Sequence, residues 1–231
     1  MVNIFNVLMK FILKILKIFM TPNKIEQDEI KKEFQIINNS VKGITVSYYI
    51  FKTLFSKRNS LEMRKNQAES NLETMKYYGS FFAETELSHV INFVMRITNC
   101  FDTLFYKGKE SLNIKGLINK MSYNIGDFYH LIKKHKSTLL DLRKIRNKNF
   151  AHLDPDLINR SFVILGVEEL IHATQELLNN IGNHIYGSYF LDWDITKNST
   201  IRDVEYLLSN LSKYHINLIC EGIKNLGKDI T

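Results

Sequence analysis

Proline and glycine are scarce here, two and ten among 231 residues, and no Ser/Gly-rich or single-sign stretch is long enough to stay unfolded. That excludes collagen-like repeats, low-complexity linkers and general disorder, and leaves long helices as the cheapest use of the chain. There are only two cysteines, Cys100 and Cys220, 120 positions apart. They form no CxxC metal or redox motif and no disulfide framework, which makes a reducing cytoplasm the expected setting. Also missing are a Gly-rich phosphate loop, a GxSxG elbow and any cysteine in a nucleophile context. His89, His130 and His135 lack the spacing of metal ligands, so no metal and no cofactor is expected.

What remains is 45% hydrophobic and carries a net charge of +7, enough apolar material for one substantial core and a basic surface suited to a polyanion such as RNA or an anionic membrane. Residues 1–20 are mostly apolar, yet Asn3, Asn6, Lys10, Lys14 and Lys17 follow at helical spacing and put a narrow cationic stripe opposite a wide apolar face. Three central lysines argue against spanning a bilayer, and nothing resembles a secretory cleavage site. Two readings stay open for this helix: it lies on the inner membrane surface, or it docks on the protein or a second subunit. Thr21 and Pro22 then start a new helix, so residues 1–21 read as an amphipathic N-terminal helix and 22–231 as one helical domain.

Along that domain the apolar positions keep the 4,3 spacing of helices. One stripe runs Ile30, Phe34, Ile37, Val41, Ile44, Tyr48, Phe51, Phe55, with Gly43 as a bend or a close approach. A second stretch, polar after Ser60, becomes apolar near Tyr77 and continues through Ala83, Leu87, Val90, Val94, Ile97 and Phe101. Tyr77, Tyr78, Phe81 and Phe82 enter it as an aromatic run, read as core rather than as a base-stacking surface. Asp102 to Glu110 is helix-poor, and Leu112 to Met121 reads as a short helix. The next long helix has Phe128, Ile132, His135, Leu139, Leu142 and Arg146 on one face, so its buried stripe ends on an arginine. Another helix carries Val163 to Ile181, Ser188 to Thr200 reads as a loop around Trp193, and Val204, Leu207, Leu211, Tyr214 and Leu218 mark the last helix. No alternating strand pairs and no repeats are visible, and the expected fold class is all-α, a helical bundle.

Arg146 is the sharpest local anomaly. His152 follows six positions later, about 240° round a continuous helix, so the two share a site only if the helix breaks at Asn147-Lys148-Asn149 or if a second subunit supplies one of them. Such a pair suits metal-free RNA cleavage: a histidine titrates near neutrality and moves a proton, while a guanidinium stabilises charge building on phosphorus. Asn147 would orient the histidine or bind a phosphate oxygen, and Arg143, Lys144 and Lys148 would hold the RNA backbone. Basic residues at a helix C-terminus also complement its dipole with no catalytic role.

The run Leu142-Arg143-Lys144-Ile145-Arg146-Asn147-Lys148-Asn149-Phe150-Ala151-His152-Leu153-Asp154 resembles the signature of the HEPN superfamily (higher eukaryotes and prokaryotes nucleotide-binding), an arginine followed by a polar residue, with four to six positions between the arginine and a histidine and five here. Its Arg-Asn-Lys start and Ala-His-x-Asp finish are most similar to the AbiU-like abortive-infection branch. Ser80-Phe81-Phe82, the element Met95-Arg96-Ile97-Thr98-Asn99 and the short helix from Ser111-Leu112 to Ile118 also resemble that branch, although Asn99 stands where it usually has an acid. The resemblance spans roughly residues 25 to 185. It implies an all-helical homodimer in which Arg146, His152 and Asn147 form a metal-independent endoribonuclease site in a shared cleft, leaving a 2′,3′-cyclic phosphate. Toxin–antitoxin or phage-defence settings, with an antitoxin or defence partner, are implied as well. The rival expectation is a catalytically silent helical module that binds RNA or protein through the same basic surface.

Overall fold

The computed structural model describes residues 24–59, 68–102, 105–106, 109–110, 112–121, 123–149 and 166–226. The N-terminal amphipathic segment, Thr21-Pro22, the span 150–165 with His152, and the 60–67 connection lie outside the described residues, so the domain boundary at residue 21 belongs to neither outcome.

The first long stripe becomes helix α1 (Lys24–Asn59), whose Phe34, Ile37, Val41, Ile44 and Phe51 are buried. The aromatic-entered stretch is two helices, α2 (Ala68–Tyr77) and α3 (Gly79–Phe101), separated at Tyr78. Of the aromatic run only Phe82 is buried; Tyr77 and Phe81, four positions apart and so on one helical face, turn to solvent, which corrects the reading of the run as core. Helix α3 lies antiparallel beside α1. Asn92 Nδ2 donates to Ser47 Oγ at 2.7 Å, and one turn further along α3 the Arg96 guanidinium lies over Gly43, where a Cβ would sit 2.8 Å from Nη1. Gly43 therefore marks a close approach in a continuous helix.

Beyond α3 the helix-poor segment forms a minimal antiparallel ribbon, β1 (Phe105–Tyr106) and β2 (Lys109–Glu110), too short to show alternation in sequence. Helix α4 (Ile114–Met121) follows, with Asn113 Oδ1 accepting from the Gly116 N–H at 2.8 Å. The long helix expected from Phe128 to Arg146 is divided at His135 into α5 (Ile125–Lys134) and α6 (Lys136–Asn149). Asn124 caps α5 by accepting from Gly126 N–H at 2.9 Å. The stripe stays in phase across the joint, because His135 still donates its N–H to Leu131 O and accepts from Leu139 N–H. Helix α6 runs through Asn147-Lys148-Asn149, its last described residues, so of the two ways of bringing Arg146 and His152 together a helix break inside that triplet is not the one seen.

Helix α7 (Val167–Tyr186) begins at Gly166, held at φ +85° with Thr138 Oγ1 2.8 Å from where a Cβ would sit, and ends at left-handed Gly187. Helix α8 (Trp193–Leu226) starts seven residues before the end of the expected Ser188–Thr200 loop. Asp192 Oδ1 accepts from the N–H groups of Asp194 and Ile195, and the Ser199 and Thr200 hydroxyls fold back onto Thr196 O, so residues that read as loop formers are satisfied inside the helix.

The core lies between α1, α3, α4, α5, α6 and α7, with Phe93, Phe128, Leu142 and Leu170 wholly enclosed. A smaller cluster of Leu54, Met75, Phe82, Val204 and Leu208 joins α1, α2, α3 and α8. Glu168, at the start of α7, bonds Lys52 and accepts from Tyr49 Oη at 2.8 Å; burial alone would raise its pKa, but these partners hold it below the usual range. After Ser212 no described side chain of α8 is buried, so Tyr214 and Leu218 of its expected seam are exposed.

Burial, reinforced by the charge of Lys134, holds the His135 imidazole below its ordinary pKa of 6.5, with Glu169 pulling the other way. Below pH 6.5 the unfolded chain then takes up a proton that folded His135 still refuses, so stability falls as pH drops through that value. Burial lowers His89 in the same sense. The urea midpoint is expected to fall between pH 7.5 and pH 5.5, and His135→Gln to lessen that fall; an unchanged difference in the variant would show that His135 does not carry it.

Candidate active site where α3 meets α6

Helix α3 ends on Phe101, and its C-cap residue Asp102 places a carboxylate where the helix dipole already supplies negative charge. Two cations from α6 offset this. Arg143 and Arg146, three positions apart and so on one helical face, both reach Asp102. Arg143 Nε and Nη2 donate to Oδ1 at 2.7 and 2.5 Å, and Arg146 Nη1 donates to Oδ2 at 2.6 Å. The carboxylate is only 11% exposed, Arg146 17% and Arg143 34%. Arg146 is held a second time, its Nε donating to Asn147 Oδ1 at 3.1 Å.

This accounts for the arginine at the end of an apolar stripe. Leu139 and Leu142 bury the same face of α6, and Arg146 extends it by laying its guanidinium against the capped end of α3. Its two bonds, Nη1 to Asp102 Oδ2 and Nε to Asn147 Oδ1, fix the plane of that guanidinium, as a group acting on a phosphate requires. The three charges sum to +1, so the cluster keeps an excess that attracts an anion.

The fold thus brings Arg143, Arg146 and Asn147 together. Lys144 points elsewhere: it pairs with Asp141 at 3.0 Å on the exposed side of α6. The side chains of Lys148 and His152 lie outside the described residues. Asp102 was not anticipated. Asn99, where an acid was sought, is exposed, and the carboxylate comes from one turn further on. Its signal in the sequence was an acid placed at the unfavourable end of an apolar helix. Among the described residues no group of three His, Cys, Asp or Glu is arranged to hold a metal ion, and Cys100 and Cys220 are both free thiols. Burial raises the Cys100 thiol to about 12, which makes it an inert core residue.

A family model, HEPN AbiU2, matches residues 40–207, a span that takes in α3, Asp102, α6 and the position of His152. The chain belongs to the HEPN AbiU2 family. HEPN AbiU2 proteins are all-helical and linked to abortive infection, and the described helices agree with that class. The HEPN AbiU2 match leaves out residues 24–39 of α1 and residues 208–226 of α8. No curated protein matches the chain, and no solved structure does. No helix among the described residues is long and apolar enough to cross a membrane.

Proposed function

We propose that this HEPN AbiU2 chain is a metal-independent endoribonuclease of a phage-defence or toxin–antitoxin system, acting as a homodimer. The observation that carries the reading is Arg146, clamped by Asp102 and Asn147 in a cationic cluster six positions ahead of a histidine. RNA brings its own nucleophile. The 2′-hydroxyl attacks the adjacent phosphorus, the new O2′–P bond forms as the P–O5′ bond breaks, and the products are a 2′,3′-cyclic phosphate and a 5′-hydroxyl. His152 removes the 2′ proton or protonates the departing 5′ oxygen, Arg146 stabilises the charge on the phosphorane oxygens, and Asn147 keeps Arg146 aimed. Arg143 and Lys148 hold the flanking backbone, and Lys144, turned to Asp141, is left out of that role. In a dimer the two motifs face one cleft, and an antitoxin or defence partner covering that cleft would control it.

The test is incubation of wild type, Arg146→Ala and His152→Ala with total RNA in EDTA, followed by mapping of cyclic-phosphate ends. Wild type is expected to cut, with each variant slower by about 10²-fold or more. Uncut RNA that is nevertheless bound would replace this reading with that of a catalytically silent RNA-binding module.

A further inference from the structure

Tyr129 breaks the pattern of α5. Phe128 and Leu131 are buried, whereas the Tyr129 ring is 50% exposed on the helix's outer side. It is nonetheless held. Its ring meets the edge of Phe128 at 5.8 Å, and the Lys115 ammonium, from the first turn of α4, lies over it 5.9 Å from the centroid.

Both members are tied to the end of α3 that carries Asp102. Phe128, next to Tyr129, stacks on Phe101 at 6.0 Å. Asn113, two residues before Lys115, donates Nδ2 to the Asp102 carbonyl at 3.4 Å. The sequence neighbours of the tyrosine and the lysine thus contact Phe101 and Asp102, at the end of α3 that carries the Asp102 carboxylate. The surface round Tyr129 and Lys115 is lysine-rich: Lys133 and Lys134 are exposed on α5, with Lys133 one turn after Tyr129, against one acid on that helix, Asp127, which accepts from Tyr123 Oη at 3.2 Å.

We propose that Tyr129 and Lys115 form a stacking platform for one unpaired RNA base beside the phosphodiester that the arginine cluster addresses. The proposal rests on the ribonuclease reading and extends it to single-stranded RNA. Lys115 lies over the ring, and the exposed half of Tyr129 is what a base would stack on, while the lysine charge meets the phosphate attached to that nucleotide. A protein partner is the poorer fit, because a single exposed ring among lysines offers no contiguous apolar patch.

The experiment measures binding of the full chain to a short single-stranded RNA with 2′-O-methyl groups throughout, which prevents cleavage, and to versions with one abasic position moved along the strand. Tyr129→Ala is expected to bind about 5- to 100-fold more weakly, and Tyr129→Phe to bind like wild type. One abasic position should weaken wild type but not Tyr129→Ala. Lys115→Gln should weaken binding and lower the salt slope by about one. Tyr129 is exposed, so unchanged thermal midpoints in these variants separate binding from folding. Wild-type binding matched by Tyr129→Ala, or an abasic penalty that persists in that variant, overturns the platform and leaves the ribonuclease reading standing. Absence of RNA binding by wild type overturns both.

Discussion

Asp102→Asn is expected to lower the thermal midpoint by about 4–8 °C and to slow RNA cleavage by about 10- to 100-fold. The substitution keeps the shape of the side chain and changes one acceptor into a donor. In the native protein Oδ1 receives two N–H groups from Arg143 and Oδ2 receives one from Arg146. An amide presents a single carbonyl, so whichever arginine meets its NH2 group faces donor against donor, and two guanidinium groups sit together with no anion between them. Removing one member of a fully buried pair costs roughly 3–5 kcal/mol. Arg143 is a third exposed, and solvent screening there brings the expectation down to about 2 kcal/mol. The effect on the proposed cleavage follows from geometry: Arg143, with two bonds to one oxygen, claims the amide carbonyl, and Arg146 keeps its charge and its bond to Asn147 but loses the bond to residue 102. The loss should appear in kcat with little change in KM. A variant as stable and as active as wild type would show that the clamp neither holds α3 to α6 nor aims Arg146.

Gly182→Ala is expected to destabilise the fold by about 2–3 kcal/mol, against the gain of about 1 kcal/mol that helix propensity alone would give. A Cβ at this position in α7 would lie 2.2 Å from Tyr189 Cδ1 and 2.7 Å from Cγ, inside any permitted contact. The ring has little room to retreat. It stacks on Tyr186 at 5.6 Å and presents an edge to Phe34 at 5.2 Å, and its backbone N–H donates to Asn183 Oδ1 at 2.6 Å. Asn179 holds the same connection further on, donating to Leu191 O and accepting from Leu191 N–H. Urea denaturation of Gly182→Ala, Tyr189→Ala and the double variant checks this. The double variant should be more stable than the sum of the single losses allows, since removing the ring removes the clash. Gly182→Ala at or above wild-type stability would mean that the 187–192 connection yields freely.

Several features were legible before any coordinates. The Ile30 to Phe55 stripe becomes α1, and the Val90, Val94, Ile97, Phe101 seam is the buried side of α3. Arg146 at the end of an apolar stripe stood out as an anomaly, and the motif around it indicated the family that the chain belongs to. Periodicity was less reliable at joints. It ran through His135 because the stripe keeps its phase there, it missed the turn at Tyr78, and it took Trp193-Asp194-Ile195-Thr196 for loop because β-branched and hydroxyl residues compete with the helical backbone unless a cap such as Asp192 satisfies the first turn.

The sequence by itself determined the all-helical class, the positions of most helices and the motif that draws attention to Arg146, since helix periodicity and a short motif are properties of neighbouring residues. Tertiary structure decided which side chains meet. Asp102 and Arg146 are 44 positions apart, and nothing local in either segment says that the C-cap of α3 will receive the guanidinium of α6. Lys144, adjacent to Arg143 in sequence, is turned to Asp141 by the 100° step between successive helical residues. Tyr189 is likewise set against Gly182 only because the chain after α7 folds back on it, which makes an ordinary helical glycine a position where no side chain fits.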